Sequence, residues 1–240
     1  MSKSICVIGD VHGCYRTLCA LVKKLPKDAE IVFVGDLIDR GDSSREVVDL
    51  VKSMGWKCVR GNHEQLMVDA KGGLEKSMLD YLNWLACGGV ATLASYMDPY
   101  GDFMKADFDS HIAWMENLPL YLEFPDIKNA DGRSLLVSHS SASGVWHWDD
   151  ARRKAMSATW EKALMWSRLQ HINDIPGVYN IFGHTPLEQA RVSKIHANVD
   201  TGCVFKSDLK VMKESELTAL QFPEMIIHSQ INIDKKSFYY

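Results

Sequence analysis

Three short apolar runs, each ending in glycine and a metal-ligating type of side chain, recur at a fixed interval near the start of the chain. The clusters are Gly9-Asp10-Val11-His12-Gly13, Gly35-Asp36-Leu37-Ile38-Asp39-Arg40-Gly41 and Gly61-Asn62-His63-Glu64, and they begin 26 residues apart. That interval fits one strand–helix unit. Residues 4–8, 30–34 and 56–60 read as β-type runs. Residues 14–25 carry Leu18, Leu21, Val22 and Leu25 on one helical face before Pro26 stops them, and residues 43–54 carry Val47, Val48, Leu50 and Val51. Short apolar strands alternating with amphipathic helices predict βαβ units and a parallel sheet. Right-handed crossovers put the strand ends on one edge, where α/β folds bind ligands. Asp, His, Asp, Asn and His gathered there make a set of oxygen and nitrogen donors for a hard-to-borderline metal ion. One Gly-Asp pair is an ordinary turn. Three in register, two of them with histidine, are not explained as turns.

The remainder predicts one α/β domain over residues 1–240, with two packed mixed sheets flanked by helices. Residues 64–117 read as a helical insertion or cap, broken at Gly72-Gly73, Gly88-Gly89 and residues 99–101. Residues 120–124 and 134–137 read as strands joined by a turn-rich loop, 150–170 as helix and 179–182 as a strand. Residues 195–227 read as β, with turns at Asp200-Thr201-Gly202 and Lys206-Ser207-Asp208. His139 and His184 each follow a predicted strand, so they fall on the same edge as the three clusters.

Charge and composition exclude some functions. Twenty-seven basic against thirty-one acidic side chains give a net charge of −4, which argues against a polybasic nucleic-acid binder. No apolar run approaches the roughly 18 residues of a membrane span, and the first residues lack a signal-peptide pattern. The expectation is a cytoplasmic protein without membrane or duplex partners. The six cysteines form no Cys-x-x-Cys pair and read as reduced core thiols. Cys14 is either a small helix-opening residue or a neighbour of the metal motif.

Gly-Asp-x-His-Gly, Gly-Asp-x-x-Asp-Arg-Gly and Gly-Asn-His-Glu, in this order, resemble the signature of the metal-dependent phosphoprotein phosphatases of the calcineurin-like metallophosphoesterase superfamily. The phage lambda-type protein phosphatases and their bacterial relatives are the nearer branch. Met165-Trp-Ser-Arg168, Ile181-Phe-Gly-His-Thr-Pro186 and Asp200-Thr-Gly-Cys-Val-Phe205 support the resemblance, which covers about residues 5–221. The tail from about 222 to 240 has no counterpart and reads as a C-terminal extension.

The resemblance implies two divalent metal ions. Asp10, His12 and Asp36 would hold the first, and Asp36 would bridge to the second with Asn62, His139 and His184. Manganese suits such ligands, and so do iron and zinc. A shared water ionised by the metal pair would attack phosphorus directly. His63 would be the general acid, oriented by Asp39, and Arg40, Arg60 and Arg168 would clamp the phosphate. The implied function is a phosphomonoesterase acting on phosphoserine or phosphothreonine in proteins, with phosphotyrosine as a further substrate.

Glu64 reads as a helix-start residue. His111, His147, His171, His196 and His228 have no motif support, and Trp146 and Trp148 either line the entrance or pack in the core. At the fourth site the chain has Ser138-His139-Ser140-Ser141 where relatives place His-Ala or His-Gly. A Trp84…Gly88-Gly89…Thr92-Leu-Ala-Ser-Tyr96 stretch resembles the symmetrical diadenosine tetraphosphate hydrolases, an alternative with the same metal chemistry. An inactive binding scaffold would lack ligands, and all six are present. A nuclease fits neither Asp39-Arg40-Gly41 nor the acidic balance.

Overall fold

Every residue of β1 (Ile5–Ile8) is buried, and alternation sorts its side chains into two layers. Ile5 and Val7 enter one apolar cluster, Cys6 and Ile8 another. The computed structural model describes residues 4–205 and 215–234, and it shows why both faces of this strand are apolar. The strand lies inside a sheet covered on one side by helices and on the other by a second sheet.

In the first sheet β1 pairs in parallel with β2 (Glu30–Phe33), and β2 with β3 (Lys57–Cys58). Helices α1 (Tyr15–Val22) and α2 (Ser44–Ser53) make the crossovers. They cover Cys6, Ile8 and Phe33 with Leu18, Leu21, Val47, Val48 and Val51. The second sheet holds β4 (Tyr121–Lys128), β5 (Ser134–Ser138), β6 (Val178–Phe182), β7 (Arg191–Val192) and β8 (His196–Asn198), in the order β4-β5-β6-β8-β7 with the three central strands parallel. Strands β9 (Glu216–Phe222) and β10 (Ile226–Ile231) complete the first sheet on the other side of β1, both antiparallel. The two sheets meet through Ile5, Val7, Val32 and Leu220 on one side and Leu135, Val137, Tyr179 and Ile181 on the other. Leu136 on the outer face of the second sheet packs with Trp148 and with Leu164 of α9 (Ser157–Trp166). Two mixed sheets flanked by helices is the architecture expected from the sequence.

Several elements differ from the expectation in extent. The third strand keeps only two residues, because the chain beyond Cys58 leaves the ladder for the Gly61 turn. Strand β4 continues through Pro125 to Lys128 with a register shift after Phe124. Proline donates no hydrogen bond, and it is accommodated here at an irregularity of an edge strand. The helical stretch predicted over 150–170 divides into α8 (Asp150–Ala155) and α9, and ends at Trp166. Residues 62–116 hold α3 (Asn62–Asp69), α4 (Gly73–Lys76), α5 (Met78–Trp84), α6 (Val90–Ser95) and α7 (Lys105–Glu116). At Gly88-Gly89 the chain kinks between α5 and α6, with Gly88 at φ 114°, which is the break the sequence predicts. The turn expected at 206–208 lies outside the described residues. None of the described helices is long and apolar enough to cross a membrane.

The chain after β10 returns to the first helix. The Asp234 carboxylate accepts hydrogen bonds from Arg16 N (3.0 Å), Thr17 N (2.9 Å) and the Thr17 hydroxyl (2.5 Å). Cys14 offers α1 no side-chain cap, so a residue more than 200 positions away satisfies those amides. Asp234→Ala is expected to lower unfolding free energy by about 1 kcal/mol, as loss of a helix cap does. Urea denaturation measures this, and an unchanged midpoint would show that the contact contributes nothing.

Candidate metal centre

The loops after β1, β2, β3, β5 and β6 open on one edge and are pinned to each other by backbone hydrogen bonds. Val11 N and His12 N both donate to Asp36 O (3.0 and 2.9 Å), Gly13 N donates to Leu37 O (2.8 Å), and Gly183 N donates to His139 O (2.8 Å). The turns are tight. A Cβ on Gly61 would lie 2.2 Å from Asp36 Oδ1, and Gly35 has φ +94° with its missing Cβ facing Gly61 N. Six non-glycine residues among those described have positive φ, and five of them are His12, Asp36, Asp39, Arg40 and His184. Left-handed backbone at such residues costs energy and persists where the surroundings over-determine it.

Asp36 lies between two groups of donors. One is His12, Asp36 and His63; the other is Asp36, His139 and His184. His12 Nε2 is 3.6 Å and His63 Nε2 is 4.0 Å from Asp36 Oδ2, and His139 Nε2 is 3.4 Å from Oδ1. Asn62 Oδ1 stands 2.8 Å from both His139 Nε2 and His184 Nδ1, which are 3.2 Å apart. All of these side chains are buried.

The donor chemistry fits cations. Backbone carbonyls orient two rings: His12 Nδ1 donates to Ile38 O and His139 Nδ1 to Val34 O, each at 2.8 Å. Each Nε2 therefore turns its lone pair to the cluster, the arrangement that fixes metal-ligating imidazoles. Burial first, then Arg40 and His63, hold His12 well below its ordinary pKa. Burial, then His139, brings His184 down to about 3, and burial lowers His139. Neutral imidazole is the ligating form. The Nε2 atoms of His12 and His139 thus face Asp36, and His184 Nδ1 stands with His139 Nε2 at Asn62 Oδ1. Arg40 Nη1 sits 2.6 Å from His12 Nε2, a cationic group on the ligand lone pair. Asp10 stands beside rather than within these two groups. It accepts from His184 N (3.1 Å to Oδ2), and burial, then Asp200 and Asp36, push its carboxyl well above the usual range. Asp200 is itself buried and pushed up to about 7, by burial first and then Asp36. Three crowded buried carboxylates are a charge that divalent ions would oppose.

His63 Nδ1 lies 2.6 Å from Asp39 Oδ2, so the structure joins the expected acid to its expected partner. Arg40 lies at the cluster, with its guanidinium 5.3 Å from the Phe205 ring. Arg168 is exposed, and its charge reaches His139, His184 and Asp200. Arg60 departs from the expectation. Its Nη2 donates to Glu116 O (2.7 Å) and Leu118 O (3.1 Å) and its Nη1 to Gln65 Oε1 (2.9 Å). Glu116, the last residue of α7, and Leu118 just beyond it take up the Nη2 donors, so Arg60 is placed as a tie between the loop after β3 and the end of the insertion.

Ser140, the departure next to His139, turns away from the cluster. Its hydroxyl donates to Ala163 O (2.8 Å) and accepts from Ser167 N (3.0 Å), which anchors the stretch leading to Arg168. Trp148 is buried, and Trp146 packs against Tyr121, so both belong to the core. His111 is buried against Tyr96 and Asp49; His147 and His171 are exposed.

Glu64 carries more than helix-start charge. It is fully buried, and its carboxylate accepts from Asp36 N, Leu37 N and Gly61 N, each at 2.8 Å. The bond to Gly61 is half of a capping box, legible in the Gly61-to-Glu64 spacing. The two bonds to the Asp36 loop have no local signature. Burial, then Asp36, push the Glu64 carboxyl up to about 7.

Residues 3–200 match the calcineurin-like phosphoesterase family, and the chain belongs to it. The family is metal-dependent, which agrees with the donor groups around Asp36. The serine/threonine-protein phosphatase 1 of Salmonella typhimurium is 29% identical over 219 residues, covering 88% of this chain and 92% of that protein. The asymmetrical bis(5'-nucleosyl)-tetraphosphatase PrpE of Halalkalibacterium halodurans is 28% identical over 256 residues, covering 91% and 90%. That relative bears the asymmetrical name, where the motifs suggested the symmetrical hydrolases. The solved structure of a protein serine/threonine phosphatase from Saccharomyces cerevisiae shares the fold, with TM-score 0.62 at 14% identity over 98% of this chain and 81% of that one.

Glu64→Gln replaces one acceptor oxygen by an amide donor facing backbone N–H. Leaving a buried donor unpaired costs about 1–3 kcal/mol. The expected result is a stability loss of that size in urea denaturation; wild-type stability would remove Glu64 as the tie between the two loops.

Proposed function

We propose that this chain is a metal-dependent phosphomonoesterase acting on phosphoserine and phosphothreonine in proteins, with phosphotyrosine as a further substrate. The observation that carries the reading is the buried His63–Asp39 pair at the donor cluster, 2.6 Å between Nδ1 and Oδ2. Asp10, His12 and Asp36 would hold one divalent ion, and Asp36, Asn62, His139 and His184 the second. Manganese is the proposed metal, and iron or zinc suits the same donors. Such ions supply Lewis-acid charge on the phosphoryl oxygens and an ionised water at neutral pH.

The protein's own residues would do the rest. Arg40 and Arg168 bind the phosphate oxygens and orient the ester. His63 gives its Nε2 proton to the leaving oxygen while Asp39 holds the ring from Nδ1. Asn62 contributes a neutral oxygen, which limits negative charge where a phosphate dianion must enter. Burial of the cluster keeps bulk water from competing for these contacts.

The protein-phosphatase reading draws support from the Salmonella relative and from the motif set of the phage lambda-type phosphatases. The stretch from Trp84 to Tyr96 weakens the nucleotide alternative drawn from it. Trp84 and Thr92 turn inward to Asp39, and Tyr96 is fully buried, so these side chains do not offer a nucleoside surface. Dinucleoside tetraphosphate hydrolysis is the second reading, favoured by the PrpE relatives.

His63→Asn is expected to lower turnover by about 10²- to 10⁴-fold, the usual contribution of a general acid, with bound metal retained by elemental analysis. Unimpaired turnover would remove His63 from the reaction. Manganese-loaded protein, beside a chelator-treated control, is expected to release phosphate from phosphoserine and phosphothreonine peptides faster than it cleaves diadenosine tetraphosphate. Faster cleavage of the dinucleotide would make it the substrate instead.

A further inference from the structure

Asp39 is fully buried, and one of its oxygens is engaged by His63. What occupies the other comes from the helical insertion. Asp39 Oδ1 accepts from Thr92 Oγ1 at 2.7 Å and from Trp84 Nε1 at 3.0 Å, and Trp84 Nε1 also lies 3.2 Å from Oδ2. Thr92 Oγ1 in turn accepts from Asp39 N at 3.0 Å and lies 3.0 Å from Ser44 Oγ. Trp84 is 1% exposed and Thr92 0%, so neither has solvent as an alternative partner.

We infer that Trp84 and Thr92 are positioning residues for proton donation by His63, acting through Asp39; the inference rests on the reading of His63 as the acid. A buried carboxylate with one free oxygen can rotate. Two neutral donors on Oδ1 oppose that rotation. They hold the carboxylate in place, leave Oδ2 directed at Nδ1–H, and so turn His63 Nε2 to the side where Asp36 Oδ2 lies 4.0 Å away.

The segment between the two donors is built for this. Residues eight apart on an unbroken α-helix point about 80° apart, and the kink at Gly88, with φ 114°, interrupts that phase. A Cβ on Gly89 would lie 2.6 Å from the Trp84 indole, so glycine there lets the ring approach the backbone. At Gly88 a Cβ would lie 2.8 Å from Arg40 Cγ, while Gly88 O accepts from Arg40 N at 3.1 Å. One stretch of the insertion thus supports the acid's partner through its side chain and the phosphate-facing Arg40 through its backbone. This accounts for the Trp84…Gly88-Gly89…Thr92 pattern without a nucleotide.

Protonation of the leaving oxygen matters in proportion to its basicity, so the test is a series of phosphate monoesters rather than one substrate. Steady-state kcat would be measured for dinitrophenyl, p-nitrophenyl, phenyl and benzyl phosphate on manganese-loaded wild type, His63→Asn, Trp84→Phe, Thr92→Val and Thr92→Ser. Metal content and thermal midpoint would be recorded for each. Trp84→Phe and Thr92→Val are expected to lose about 10- to 100-fold in kcat on phenyl and benzyl phosphate, part of the general-acid contribution. They should lose under about 3-fold on dinitrophenyl phosphate, whose leaving group needs no proton. Thr92→Ser keeps the hydroxyl and is expected to restore the basic-leaving-group substrates.

A uniform loss across the series, following a fall in thermal midpoint, would make both residues structural support only and overturn the inference. So would a flat series for both variants beside a steep one for His63→Asn. A flat His63→Asn series would instead overturn the acid reading, and the inference with it. If Trp84→Phe does not fold, the contrast of Thr92→Val with Thr92→Ser decides the matter.

Discussion

One buried carboxylate, Asp36, sits between two sets of donors that come from opposite sheets. Its Oδ2 faces His12 of the first strand loop, and its Oδ1 faces His139 of the fifth. An ionised group in such a place costs several kcal/mol unless its surroundings oppose the charge. The chain therefore surrounds it with fixed hydrogen bonds. The His63 amide donates to Oδ1 at 3.0 Å, and the Asp36 peptide is held from three directions by Val11, His12 and Glu64. The positive φ values, the close glycine turn and the buried Glu64 are consequences of bringing this residue to where two sheets end together.

The fold makes that meeting possible by a simple device. Parallel strands in each sheet end on the same edge, and the inter-sheet layer of Ile5, Val7, Val137 and Ile181 keeps the two edges adjacent. Loops are then short and carry the chemistry, while the strands carry the stability. The helical insertion adds a second level. It contributes none of the expected metal ligands, yet it supplies both donors to Asp39 Oδ1 and the Glu116 carbonyl that engages Arg60.

Residues whose role is set by periodicity and loop position are legible in the sequence. The βαβαβ opening is readable because Val47, Val48, Val51, Leu18 and Leu21 repeat at helical spacing between β-branched runs, and the strand ends follow from that. His139 and His184 are readable because each follows a strand. Arg60 shows the limit. It sits beside a ligand motif, but besides Gln65 the residues that take its hydrogen bonds lie 56 and 58 positions on. Trp84 and Thr92 show the same limit from the other side, since Asp39 is 45 and 53 residues away. Asp234 has no motif at all, and its function as a cap exists only because β10 ends beside α1. Local patterns report which elements form; they do not report which side chain of a distant loop will be met.

Anomalous diffraction from crystals of the manganese-loaded protein tests directly whether Asp36 is shared by two ions and His63 left free to move a proton. Two manganese peaks flanking Asp36 are expected, one toward Asp10 and His12 and the other toward Asn62, His139 and His184, with His63 on Asp39 and bound to neither. A single peak ligated by His12, Asp36 and His63 together would contradict this arrangement.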